Sequence, residues 1–330
     1  MQISGKVELG FEPVRELFTR SLTSKRDRNA QLCVYVGENR VVDLWATNGA
    51  EPFSPDSLVN VFSSGKSIEC ILLAMLADQG LLNFAERVAT YWPEFVGTQK
   101  HKDKDRLTVA DVMRHEAGLA SLNITLSPEQ LTASALKQNA VGQVLEQHPL
   151  RFPGASGSPR EYHAFTRGWI ANEIFRRVEP TGRTMGEFLR DEVSLPLGID
   201  VYFDVTDDQA ENICRVQARR WGAQLLDSFA PGSQARSIGL TPTEMLTRMR
   251  RILPSVRRLR RMQKPMPMTG MREELFGTFD SAPWLQAQVP SAGAKCSARG
   301  LAKLAAAMAN GGAINGQQVL GETGHAALHA

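Results

Sequence analysis

Apolar residues recur at helical spacing near the start of the chain, where Phe11, Val14, Leu17, Phe18 and Leu22 share one face and Pro13 stands early. The spacing predicts a helix over about 12–23. Two runs of strand composition follow, 30–36 and 40–46, and Gly37-Glu38-Asn39 between them predicts a β-hairpin. From 64 to 80 the helical period returns. Ile68, Ile71, Leu72, Met75 and Leu76 make its apolar stripe, and Gly80 stands where a C-terminal cap belongs. Residues 81–225 break into short helices and loops, with 107–119 and 165–178 the clearest helical pieces. A last helix is predicted over 297–310, stopped by Gly311-Gly312. Strand composition is sparse after residue 46.

Composition narrows the class. The 330 residues, 42% apolar and 22% charged, are those of an ordinary globular protein with room for a substantial core. A formal charge of +3 points to neither a nucleic-acid binder nor a membrane-surface protein. The longest apolar runs, such as 71–76, fall far short of a membrane span. Acidic Glu8 arrives before any apolar stretch forms, so no secretory leader is expected, and a cytoplasmic setting is. Cys33, Cys70, Cys214 and Cys296 are scattered without metal-type spacing and read as buried thiols, and no H-x-x-x-H or C-x-x-C suggests zinc. Arginines crowd 246–264, with no acid among them: Arg248, Arg250, Arg251, Arg257, Arg258, Arg260 and Arg261, joined by Lys264. An anionic lipid or nucleic acid would suit such a run, but no aromatics interleave it, and a solvated helical insertion at the rim of a site is the favoured reading.

The chemistry gathers at Ser63-Ser64-Gly65-Lys66. Residues three apart share a helix face, so the Lys66 amine can reach the Ser63 hydroxyl. A serine alcohol needs a base, and a lysine serves only when neutral, which burial or nearby positive charge favours. The helix N-terminus helps by stabilising negative charge that develops beside Ser63. Alone, the tetrad also fits a capped surface helix. Gly65-Lys66-Ser67 ends like a phosphate-binding loop, yet Asn60 occupies the position where that loop needs its first glycine. Gly154-Ala155-Ser156-Gly157-Ser158 lacks the G-x-S-x-G pattern of a nucleophile elbow and reads as a loop leading to Tyr162.

The surrounding blocks carry a resemblance. "VFSSGKSIECILLAMLADQGLLNFAERVATYWPEF" (61–95) looks like the nucleophile segment of the serine β-lactamase-related family, which includes class C β-lactamases, penicillin-binding proteins and related esterases. Leu107-Thr108-Val109 with the block from Met113 to Leu119, then Tyr162-His163-Ala164, Gly168, "FLRDEVSLPLG" (188–198) and "PSAGAKCSARGLAKLAAAMANGG" (290–312) resemble further blocks of that family in the family's order. The resemblance implies an α+β fold of the β-lactamase/transpeptidase type, an antiparallel sheet packed with a large helical lobe. It implies Ser63 as nucleophile, Lys66 as its base and Tyr162 as a partner in proton transfer. The reaction would be acyl transfer from a small-molecule ester, amide or lactam, with no metal or organic cofactor. A homo-oligomer stays open. Two residues depart from the pattern in the loop, Glu116 and Ala117. Ala164 replaces the family's substrate-holding asparagine, which favours esters or amides over β-lactams.

The family's third motif, Lys or His followed by Thr/Gly-Gly, is not found after Tyr162. The expectation is therefore a single domain, 1–330, C-terminally truncated: an N-terminal helix and hairpin (12–60), a mainly helical lobe with the motifs (61–290) and a return helix (291–330). The competing expectation is a catalytically inactive relative that acts by self-assembly or partner binding.

Overall fold

The computed structural model describes residues 1–22, 28–97, 99–152, 159–216, 241, 243–244, 246–248, 250, 268–269 and 277–329. The chain divides into two compact units, Met1–Val216 with Pro267–Ala330, and Gln217–Met266. The elements that carry the site belong to the first. Most of the arginine-rich stretch and the loop at 154–158 lie outside the described residues.

The expected hairpin is present and has a third partner. Strands β1 (Gln2–Val7), β2 (Asn29–Val36) and β3 (Asn39–Thr47) form an antiparallel sheet in the order β1-β3-β2, with Leu44 opposite both Leu32 and Gly5. β1 escapes a sequence reading because Gln-Ile-Ser-Gly-Lys-Val has only two large apolar residues and a central glycine. That glycine has a reason: a Cβ on Gly5 would lie 2.0 Å from the Asp43 carbonyl oxygen. Helix α1 (Glu12–Leu22) lays Phe18 and Leu22 onto Val42, Leu44 and Ala46, closing a small core. A two-stranded hairpin is marginal in water, whereas three strands covered by a helix are not.

Helix α2 (Gly65–Asp78) is the central strut. The predicted stripe is buried, and so are Leu73 and Ala74 beside it, so the helix is wrapped on most of its circumference. Gly80, at φ 72°, ends it as predicted: its N–H bonds Ala77 O and that of Leu81 bonds Leu76 O. The segment expected to be helical over 107–119 forms only α3 (Val109–Met113), started by a Thr108–Asp111 capping box. The chain leaves it because His115 takes a left-handed conformation, φ 66°, and turns into a loop. Helix α4 (Thr166–Val178) buries Trp169, Ile170, Ile174 and Phe175 and packs against α2. Late in the chain, α5 (Ala298–Ala309) lies on β2, and α6 (Glu322–Leu328) lies on α2. Arg299 of α5 reaches Asp43 of β3 at 2.7 Å.

Three two-residue strands make a second antiparallel sheet, β4 (Val59–Asn60), β5 (Val201–Tyr202) and β6 (Lys295–Cys296), in the order β4-β6-β5. It fastens the approach to α2 to the block at 290–297. All four cysteines are free thiols; only Cys296 is buried, and the other three are half-buried, against the expectation for them. Their strand, helix and loop positions each leave part of the side chain at the surface. Among the described residues, no helix is long and apolar enough to cross a membrane.

Candidate active site

Ser63 sits in a 3-10 turn, Phe62–Ser64, that runs directly into α2, and its side chain is exposed. The turn is anchored on both sides. Val61 N–H bonds Ala294 O at 2.9 Å, and a Cβ on Gly65 would stand 2.3 Å from Pro290 O, so only glycine lets the helix approach that block. Phe62 has φ 47°, a costly conformation for a bulky residue, held in place by edge-on packing against Phe279 at 6.0 Å.

Lys66 lies one turn on and is buried. Its Nζ donates to Ala164 O at 2.9 Å and to Ser291 O at 2.8 Å, and lies 4.8 Å from the centre of the Tyr162 ring. Burial holds the proton affinity of Lys66 below the ordinary lysine range; Tyr162 and Glu69 oppose that, and Arg167 reinforces it. A neutral amine has two N–H donors, so the two carbonyls satisfy it and its lone pair is left over.

Tyr162 completes the group. Its hydroxyl donates to Ser63 Oγ at 2.7 Å, across 99 residues of sequence. Burial pushes the phenol up, but the hydrogen bonds with Ser63 and Lys66 and the Lys66 charge outweigh it, and the net direction is down. The three residues singled out from sequence are thus brought together, with Tyr162, not Lys66, in hydrogen-bond contact with the serine.

Two histidines, His115 and His163, shape the loop that carries Tyr162. The His163 N–H donates to His115 Nδ1 at 3.0 Å, joining the two loops, and the His115 ring lies against Tyr162 at 4.9 Å. His163 is fully buried; its Nε2 accepts the Leu119 N–H at 3.0 Å, which places the proton on Nδ1, facing Glu161 O at 2.6 Å. Burial, with the Arg167, His163 and Lys66 charges, lowers His115 to about 4, so it is neutral at pH 7 and free to accept. Glu116, a departure from the family pattern, accepts from Arg114 and Arg160 and so ties this loop to the approach to Tyr162.

A buried ion pair lies beneath Lys66. The guanidinium of Arg167 meets Glu69 Oε2 at 2.9 Å through both Nε and one terminal nitrogen, and Ser291 Oγ donates to Glu69 Oε1 at 2.5 Å. The same guanidinium donates to Lys66 O at 2.8 Å and to Met113 O at 3.3 Å. Burial pushes the Glu69 carboxyl up, and Arg167, Ser291 and Lys66 pull it back. Sequence reading missed this pair. The available signal was Glu69 itself, a carboxylate inside the apolar stripe of α2. Among the described residues, no group of three or more His, Cys, Asp or Glu side chains is placed to hold a metal ion.

Known proteins resemble this chain in sequence and in fold. The profile of the Beta-lactamase family matches residues 14–330. Esterase/beta-lactamase LipL of Mycobacterium tuberculosis is 30% identical over 324 residues, which span 97% of this chain and 67% of that protein. Among solved structures, a novel penicillin-binding protein homolog from Caulobacter crescentus is similar at a TM-score of 0.72 and 27% identity, over 98% of this chain and 76% of that one. A family VIII carboxylesterase matches at a TM-score of 0.72 and 25% identity, over 99% and 76%.

Proposed function

The chain belongs to the β-lactamase family, and from that premise we propose that it is a serine hydrolase that transfers acyl groups from small esters or amides to water through Ser63. The observation that carries the reading is the 2.7 Å hydrogen bond between Tyr162 and Ser63, with Lys66 buried beside both. Relatives named as an esterase/β-lactamase and as a carboxylesterase support the class.

The chemistry runs through these three side chains. The proton of Ser63 Oγ passes to the Tyr162–Lys66 pair as Oγ bonds to the substrate carbonyl carbon. The same pair returns that proton to the leaving oxygen or nitrogen as its bond to carbon breaks, leaving an acyl-serine. Water then gives a proton to the pair, attacks the acyl carbon and releases the acid, and Ser63 recovers its proton. The lowered proton affinities of Lys66 and Tyr162 suit this exchange near neutral pH. Ala164 offers its carbonyl to Lys66 and no side-chain amide to the substrate, which favours esters over β-lactams.

A fluorophosphonate probe tests the proposal. It should label the wild-type protein and not Ser63→Ala, and p-nitrophenyl acetate should be hydrolysed faster than a chromogenic cephalosporin. A folded wild-type protein that takes no label would sink the enzyme reading and favour an inactive relative.

A further inference from the structure

The hydrogen bonds around Lys66 close into a ring. Lys66 Nζ donates to Ser291 O, Ser291 Oγ donates to Glu69, Arg167 donates to Glu69, and Arg167 donates back to the main-chain carbonyl of Lys66. The side chain of the lysine is thereby tied to its own backbone through three other residues. Every member is enclosed: Glu69 is fully buried, Ser291 likewise, and Arg167 is 6% exposed. The contacts leave little tolerance. A Cβ on Gly168 would fall 2.5 Å from Glu69 Oε1 and 2.7 Å from Ser291 N.

Burying an ion pair costs desolvation energy that an apolar pair of similar volume avoids, so stability alone is a weak reason to keep one. This pair stands where its charges act on Lys66. We propose that Glu69 and Arg167 are positioning residues for Lys66: the ring sets where the amine stands, and the opposed charges balance the field it feels. The proposal rests on the reading of Lys66 as a proton acceptor. The other groups facing Lys66 are Tyr162, which raises its proton affinity, and, from the neighbouring loop, neutral His115; both are unchanged in the variants below.

The test reads Lys66 directly. Protein labelled with [13Cε]lysine is titrated by NMR, the Lys66 signal being identified by its loss in Lys66→Arg. Glu69→Gln leaves the Arg167 charge unopposed and should lower the midpoint of Lys66, whereas Arg167→Gln should raise it, each by about one pH unit or more. The double variant should return close to wild type. Single variants that shift the midpoint in the same direction, or not at all, overturn the proposal. A lone buried charge can prevent folding, so Arg167→Lys serves as a second probe: it keeps the charge but lacks the planar fork that spans Glu69 and the Lys66 carbonyl. Its Lys66 midpoint should match wild type while single-turnover acylation slows about tenfold at unchanged KM, a modest loss for misplaced catalytic groups. Acylation at the wild-type rate would overturn the positioning role. Opposite midpoint shifts in a protein that hydrolyses no ester would remove the enzymatic reading and leave the action of the pair on Lys66 standing.

Discussion

Tyr162→Phe isolates one hydroxyl. The ring stays, with its contacts to His115 at 4.9 Å and to the Lys66 amine at 4.8 Å, and the hydroxyl is deleted, with its 2.7 Å hydrogen bond to Ser63 and the one it shares with Lys66. Tyr162 is 55% exposed, so the change should shift stability by no more than about 0.5 kcal/mol, as for other surface positions. Magnitude then separates two roles. If the phenol only orients Ser63, the loss is that of an ordinary hydrogen bond, about 0.5–1.5 kcal/mol, or roughly two- to twelve-fold in rate. If it moves the proton, the loss is that of a general acid–base group, about 10²–10⁴-fold. The expected outcome is the second. The assay is single-turnover release of p-nitrophenol from p-nitrophenyl acetate, with melting temperatures measured alongside. A fall of less than about tenfold in a protein with unchanged melting would refute proton transfer through Tyr162.

Other outcomes follow from the same geometry. His115 has its folded-state proton affinity lowered from 6.5 to about 4, so the stability it contributes is present above pH 6.5 and is lost as pH falls toward 4. His115→Asn keeps an acceptor, tolerates the left-handed backbone and does not titrate; its melting temperature should fall less between pH 6.5 and 4, and an unchanged slope would count against the His115–His163 link. Lys295 is fully buried and lowered from 10.5 to about 8, first by burial, against the pull of Asp280 and Asp204. Below pH 8 the folded protein carries that buried charge, and stability should rise as pH climbs from about 8 to 10.5, by about 3 kcal/mol at 1.36 kcal/mol per unit. In urea titrations Lys295→Met should lack that rise; an equal rise in both proteins would contradict the assignment. Gly168→Ala forces a methyl to within 2.5 Å of Glu69 Oε1 and should cost about 1–3 kcal/mol, the usual range for overpacking; a wild-type melting temperature would show that the helices can part freely.

The hairpin, α1, α2, α4 and α5 could be read from periodicity because each buries a face whose spacing repeats within a few residues. β1 could not, since its pairing with β3 reaches across more than thirty residues and its side chains hardly alternate. The helix expected over 107–119 stops early for a related reason. His115 and Glu116 bond to the 160–163 segment, and that contact outweighs the local preference to continue the helix.

The site divides along the same line. The sequence by itself determined the family and brought Ser63, Lys66 and Tyr162 to notice: a serine opening a helix with a lysine one turn later is a local arrangement, and Tyr162 stands in one of the blocks that resemble the family. Tertiary structure decided which of the two partners touches the serine, where the lysine's hydrogens go, and that a glutamate within an apolar stripe is answered by an arginine nearly a hundred residues later. Those are properties of burial and close approach between segments distant in sequence. A buried charge must find its counter-charge wherever the fold brings one, and the spacing of residues along the chain does not record that meeting.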